Sequence, residues 1–114
     1  MADIRRQQNR DLLKIFCKIY PLTFFPWAMP KRPLKVGIFE DLVAAHPALS
    51  KTRLKRLLRD YTSTYRYIRL IAQKVPRIDL NGDFAGNVSD DEQEQAISDL
   101  ARRSGTSLLQ EAAE

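Results

Sequence analysis

Leu49-Ser50-Lys51-Thr52-Arg53-Leu54-Lys55-Arg56-Leu57-Leu58-Arg59-Asp60-Tyr61 decides the fold, because its apolar and cationic residues separate at a helical period. Ser50 is a good N-cap, its hydroxyl able to accept a main-chain N–H of the first turn. A helix over about Lys51 to Tyr61 follows. At 100° per residue Leu54, Leu57, Leu58 and Tyr61 fall on one face. Lys51, Lys55 and Arg59 stack on the other at i, i+4 and i+8, rising about 12 Å along the axis. Three cations in one row repel each other unless an anion lies over them, so the stripe suits a run of phosphates. The plain alternative is a solvated basic face with no partner.

Outward from this helix, the same reading extends in both directions. Leu12, Leu13, Phe16 and Ile19 recur at helical spacing, predicting a helix from about Ile4 to Ile19, with Arg5, Arg6, Arg10, Lys14 and Lys18 largely off its apolar stripe. Pro21 stops it. Four prolines between Pro21 and Pro33, with Phe24, Phe25 and Trp27, exclude a regular helix or a central strand. That segment reads as a packed irregular connection whose aromatics close one side of the core. Leu34-Lys35-Val36 alternates like a short strand, Gly37 permits a sharp change of direction, and a short helix runs from about Phe39 to Ala45. Thr64 to Ala72, after a Ser63 cap, forms a fourth helix. Arg77 to Leu80, the turn Asn81-Gly82-Asp83 and Phe84 to Val88 read as a hairpin. Ser89-Asp90-Asp91-Glu92 is a capping box opening a fifth helix, which ends at about Arg103 before Ser104-Gly105-Thr106. The expected architecture is α+β and mostly helical: about five helices, a small β-hairpin and a short extra strand.

Size and charge bound the rest. The 114 residues suit one domain, residues 1–104, with a short frayed tail at 105–114, and a chain this long needs no disulfide or metal to fold. Cys17 is the only cysteine, so no internal bridge or zinc set is available. No run approaches the roughly 20 apolar residues that span a bilayer, and the polar N-terminus does not resemble a signal peptide. A soluble, cytoplasmic, monomeric protein is expected. The net charge of +5 hides a segregation: residues 31–77 carry twelve Lys/Arg against three Asp/Glu, and residues 78–114 two against nine. Most of the twelve are arginine, whose fork suits phosphate. This points to a polyanion bound on one face.

Thr64-Tyr65-Arg66-Tyr67 sets N–H groups, a guanidinium and phenols in one helical turn. That combination suits a terminal ribose and phosphate, and tyrosine rings can stack on unpaired bases. Tyr61 and one of Tyr65 and Tyr67 belong in the core, and sequence alone does not say which. Arg77 shares a strand face with Asp79, so it reads either as a structural ion pair or as an arginine aimed at RNA. His46, the sole histidine, precedes Pro47 with no nucleophile motif around it, and no enzyme activity, cofactor, metal or small-molecule substrate is expected. Asp90-Asp91-Glu92 is explained by helix capping rather than by metal binding.

Taken in order, Arg32-Pro33-Leu34-Lys35-Val36-Gly37-Ile38, then Leu49-Ser50-Lys51-Thr52, then Tyr61-Thr62-Ser63 with Arg66-Tyr67, then Arg77-Ile78-Asp79-Leu80-Asn81-Gly82 resemble the ProQ/FinO domain family, over about residues 8 to 103. The resemblance implies a bacterial RNA chaperone acting on small regulatory RNAs and messenger 3′ ends in post-transcriptional regulation. Such proteins bind the stem of a Rho-independent terminator with its 3′ uridine tail. Carried over by matching position, Lys35, Lys51, Lys55 and Arg59 lie along the basic face. Tyr67 and Arg77 match the pocket for the 3′ nucleotide, Arg66 is adjacent, and Arg32 opens the first motif. The stretch is similar to a minimal member, without the basic linker, Tudor-like domain or basic N-terminal extension of longer ones, so strand exchange that depends on those parts is not expected. Lys74-Val75-Pro76 replaces the family's small-residue turn, and Tyr20-Pro21 its Phe-Pro.

Two other readings compete. The helix at 51–61, Thr62-Ser63 and the next helix, with Arg66 and Arg69, resemble a helix-turn-helix that would bind DNA. Phe24, Phe25 and Trp27, if exposed, would suit a protein adaptor.

Overall fold

The computed structural model describes residues 2–26 and 29–113, with side chains apart from those of residues 2, 3, 5 and 104–113. Five helices follow in order among them: α1 (Ala2–Ile19), α2 (Ile38–Ala45), α3 (Lys51–Thr62), α4 (Tyr65–Ala72) and α5 (Asp90–Ala113). The α3 helix occupies the middle, with α1 and α2 packed on it, and α4 lies along α5. Its Leu54, Leu57 and Tyr61 are buried against Leu12, Leu13 and Phe16 of α1 and Leu42 of α2. Those positions recur every three or four residues on each helix, so each helix presents one apolar stripe.

The proline-rich connection is held by hydroxyls rather than by a sheet ladder. Phe24 is buried between Phe16 and Tyr61, with ring centroids 5.3 and 5.4 Å away. Tyr61 Oη accepts the Phe25 N–H (3.3 Å) and Tyr67 Oη accepts the Leu34 N–H (3.0 Å). Thr23, fully buried, donates its hydroxyl to the Asp79 carbonyl at 2.8 Å. A buried main-chain N–H without a partner costs about 1–3 kcal/mol, so these side chains are what allow an irregular segment inside the fold. Of the aromatic patch proposed for a protein adaptor, Phe24 is core and Phe25 half-buried under the Lys31 ammonium. Trp27 lies outside the described residues.

Four expectations are corrected. The hairpin and the extra strand do not form strands among the described residues. They reduce to single bridges, Leu34 with Ile78 (parallel) and Ile78 with Phe84 (antiparallel). The main-chain pairs of Asp79 with Asp83 and of Arg77 with Ala85 form, but Pro76 has no N–H to carry the ladder further, and at the turn the Asp79 carboxylate, at 2.9 and 3.0 Å, takes the N–H groups of Asn81 and Asp83. Asp79 is therefore a turn residue and does not pair with Arg77. The cap of α4 is Thr64, whose hydroxyl accepts the Tyr67 N–H, while Ser63 closes α3. Finally, α5 continues through Ser104-Gly105-Thr106 to Ala113. One helical glycine costs only about 1 kcal/mol relative to alanine, and the leucines and alanines that follow favour helix.

Before α5, α4 ends with Lys74 at φ +55°. The Lys74 N–H returns to the Ile71 carbonyl and the Val75 N–H to that of Leu70, the hydrogen-bond pair that closes a helix through a left-handed residue. Gly82, at φ +81°, lies so close to Leu22 that an added Cβ would stand 2.7 Å from the Leu22 Cβ. Gly82→Ala should therefore lower stability by about 1–3 kcal/mol through strain and contact together. A urea midpoint equal to wild type would show that the turn relaxes freely.

Candidate nucleic-acid interface

Lys51, Lys55 and Arg59 are all exposed on the outer face of α3, as the periodicity requires once Leu54, Leu57 and Tyr61 are buried. The Arg59 side chain is 76% exposed, with a 3.9 Å approach to Asp60. Lys55 places its ammonium 5.5 Å from the Phe39 ring centroid, a cation–π contact that holds it beside α2. Lys35 is half-buried at the start of α2, its ammonium 2.9 Å from the Asp41 carboxylate. That hydrogen bond and charge raise the Lys35 pKa, so it stays protonated. Arg32 and Arg66 are exposed.

Tyr67 and Arg77 stand elsewhere, and both are buried. They meet on one backbone residue. Tyr67 Oη accepts the Leu34 N–H at 3.0 Å, and Arg77 Nη1 donates to the Leu34 carbonyl at 2.9 Å. Arg77 Nη2 pairs with Glu92 Oε2, so the ion pair expected with Asp79 is made with α5 instead. Tyr67 and Arg77, 33 and 43 residues further along the chain, thus converge on Leu34. Tyr67 cannot offer its ring face freely to a base, whereas Tyr65 is 48% exposed and carries the Arg69 guanidinium over its ring. Burial pushes the Tyr67 phenol above its ordinary pKa, against the opposing effects of the Leu34 N–H and Arg77, and keeps it neutral.

Glu92 was legible only in part. Its capping role appears as read: Glu92 Oε1 accepts the Ser89 N–H at 3.0 Å, and the Glu92 N–H reaches Ser89 Oγ at 3.1 Å. The Ser89 N–H, and behind it Arg77, hold its carboxyl below the usual range. The hold of its second oxygen on Arg77 has no local signal. Asp90 pairs with Lys74, and among the described residues no three metal-binding side chains gather. His46 takes part in packing, its Nε2 2.6 Å from Tyr20 Oη.

A depression of about 420 Å³ opens over Tyr67 and Arg77, walled by Thr62 and Ile71 and rimmed by Asp91, Glu92 and Asp99. Arg77 contributes to this lining, and its Nε is buried away from solvent without a hydrogen-bond partner among the described residues. Two of the rim carboxylates are already engaged, Glu92 with Arg77 and the Ser89 N–H and Asp99 with Arg102 and Gln95. No helix among the described residues is long and apolar enough to cross a membrane.

Fold and site together define a small helical domain with a cationic outer stripe and a separate, acid-rimmed pocket. Residues 6–113 match the ProQ/FINO family, and the chain belongs to that family. It is similar to an RNA chaperone ProQ of Histophilus somni, 35% identical over 105 residues that make up 89% of this chain and 49% of that protein. An RNA chaperone ProQ of Aliivibrio fischeri is 39% identical over 95 residues, 81% of this chain and 45% of its own length. The chain thus spans about half the length of the curated relatives it matches. Among solved structures, a FinO-like RNA chaperone of Neisseria meningitidis superposes with a TM-score of 0.66 at 28% identity, covering 80% of this chain and 92% of that one. A ProQ homologue of Legionella pneumophila shares the fold, with a TM-score of 0.68 at 24% identity over 85% of this chain and 84% of that one.

Proposed function

We propose that this chain is an RNA-binding domain that holds a terminator-like hairpin stem and the 3′ single-stranded tail beside it. It would act without catalysis, in the cytoplasm, on small RNAs and messenger 3′ ends. The observation that carries the reading is the row of exposed cations Lys51, Lys55 and Arg59 on α3, in a family whose similar members are named RNA chaperones. The stem is read by shape, because the major groove of an RNA helix is too narrow for side chains to reach its bases. Arg32 and Arg66, both exposed, and Lys35, paired with Asp41, are the further basic residues of this reading. The 3′ end enters the pocket over Tyr67 and Arg77. There the ribose hydroxyls donate to the carboxylates of the rim.

Two measurements on one U-tailed hairpin test this. Lys55→Ala and Arg59→Ala together should flatten the dependence of log affinity on log salt by about 1–2 units, one released counterion for each lost contact. A 3′-terminal phosphate should weaken wild-type binding by about tenfold or more, since it sets like charges against Asp91, Glu92 and Asp99. An unchanged salt slope removes the stripe from the mechanism, and indifference to the phosphate removes the pocket. Tighter binding of a DNA duplex than of the hairpin would favour the helix-turn-helix reading instead.

A further inference from the structure

Between α1 and α3, on the side of α3 turned away from Lys51, Lys55 and Arg59, lies a second concavity of about 670 Å³, larger than the depression over Tyr67 and Arg77. Its floor is apolar, made by Leu13, Cys17, Leu57 and Tyr61, and Arg10, Lys14 and Lys18 stand along its α1 wall. All three cations are exposed. They sit at i, i+4 and i+8 of one helix, so they rise in steps of about 6 Å, comparable with the separation of successive phosphates along an extended strand. On the opposite wall stands one carboxylate, Asp60, which accepts the Asn9 amide, so three cations face a single negative charge and the groove is net positive.

We infer that this groove is a second RNA contact, taking an unpaired strand with its phosphates on Arg10, Lys14 and Lys18 and a base laid on the apolar floor. The inference rests on the RNA-binding reading and extends it to a surface that reading does not use. A paired stem does not fit the groove, because its bases are stacked inside the duplex and cannot reach the floor. A protein partner would need an apolar ridge flanked by acids. A single strand supplies flat apolar rings and regularly spaced anions in one molecule. Because the two cationic rows lie on different sides of α3, an RNA touching both has its stem on one side and an unpaired extension passing round to the other.

The test compares the U-tailed hairpin with the same hairpin bearing eight unpaired uridines at its 5′ end, and with octauridylate alone. The wild type should bind the extended RNA about tenfold more tightly, with a salt slope steeper by about 2, the value for three single-strand phosphates. In Arg10→Ala/Lys14→Ala/Lys18→Ala that gain should shrink to about twofold, while Lys55→Ala/Arg59→Ala should retain it. The readout is the ratio between the two RNAs, since removing three charges from a chain of net charge +5 weakens every RNA to some degree. Replacing the eight bases by abasic sites should remove part of the gain. A gain that survives the triple substitution overturns the inference, and so does a wild type indifferent to the extension. An abasic extension as effective as uridine overturns the role of the floor. Failure of the wild type to bind the plain hairpin counts against the proposed function alone, provided octauridylate binds and the triple variant loses it. Matching thermal melts of variant and wild type establish that the fold is intact.

Discussion

Arg77→Ala is expected to weaken the fold and the pocket together. The substitution removes the Arg77 donor of the Leu34 carbonyl and the counter-ion of the Glu92 carboxylate at once, leaving Glu92 the Ser89 N–H. Removing one member of a fully buried ion pair costs about 3–5 kcal/mol. Glu92 is 39% exposed and regains some water, so about 2–4 kcal/mol is the expected loss. A urea titration reads it directly. Arg77→Lys should recover only part, because a single ammonium cannot reach both partners in the manner of the forked guanidinium. Under conditions where Arg77→Ala remains folded, affinity for the U-tailed hairpin should still fall about tenfold. Wild-type stability in Arg77→Ala would mean that the Leu34 junction is held without it. The same junction sets an acid limit. The Glu92 carboxyl titrates below its ordinary value of 4.5 in the folded chain, chiefly through the Ser89 N–H and then Arg77. A depressed carboxylate contributes stability that is complete above the unfolded pKa and disappears as pH falls through the folded one. Stability should therefore decline below about pH 4.5, and less steeply in Glu92→Gln. Parallel acid limbs in the two proteins would remove Glu92 from the account.

Phe24→Ala should have the largest effect on stability, about 3–5 kcal/mol, as for other fully buried aromatics. The ring is 1% exposed and touches the rings of Phe16, Tyr20 and Tyr61, so its loss opens a cavity in the middle of the core. Against a total stability of about 5–15 kcal/mol for a domain, the variant should melt far below the wild type. Phe25→Ala, at a half-buried position, should cost about 1 kcal/mol. The pair discriminates core from surface. If Phe24→Ala melted like the wild type, the ring would belong outside the core, and the aromatic segment would regain a role in recruiting a protein partner.

The helices and their faces were legible because their signals are local. The Ser50 cap, the leucine period of α3 and the Ser89-to-Glu92 capping box each lie within a turn or two of chain. Their consequences, a buried stripe and an outward cationic row, follow from 3.6 residues per turn. The exposed placement of Lys51, Lys55 and Arg59, and the burial of Tyr61, could thus be read directly. The length of the hairpin could not, because the pairing of Arg77 to Leu80 ends after one bridge, between Pro76 on one side and the Asp79 turn on the other. Tyr65 and Tyr67 carry the same side chain two positions apart, and only the distant Leu34 N–H selects which one is buried.

By itself the sequence determined five helical segments, the inward side of α3, and where positive charge collects, since all three are set by the spacing of neighbours along the chain. Tertiary structure alone decided that Arg77 meets Glu92 and Leu34 rather than Asp79, that Tyr67 closes a pocket instead of presenting its ring, and that α1 and α3 leave a groove beside Arg10, Lys14 and Lys18. Those outcomes depend on which backbone and side-chain groups folding brings within about 3 Å of one another. Segments separated by fifteen to more than forty residues carry no record of that proximity in their local order.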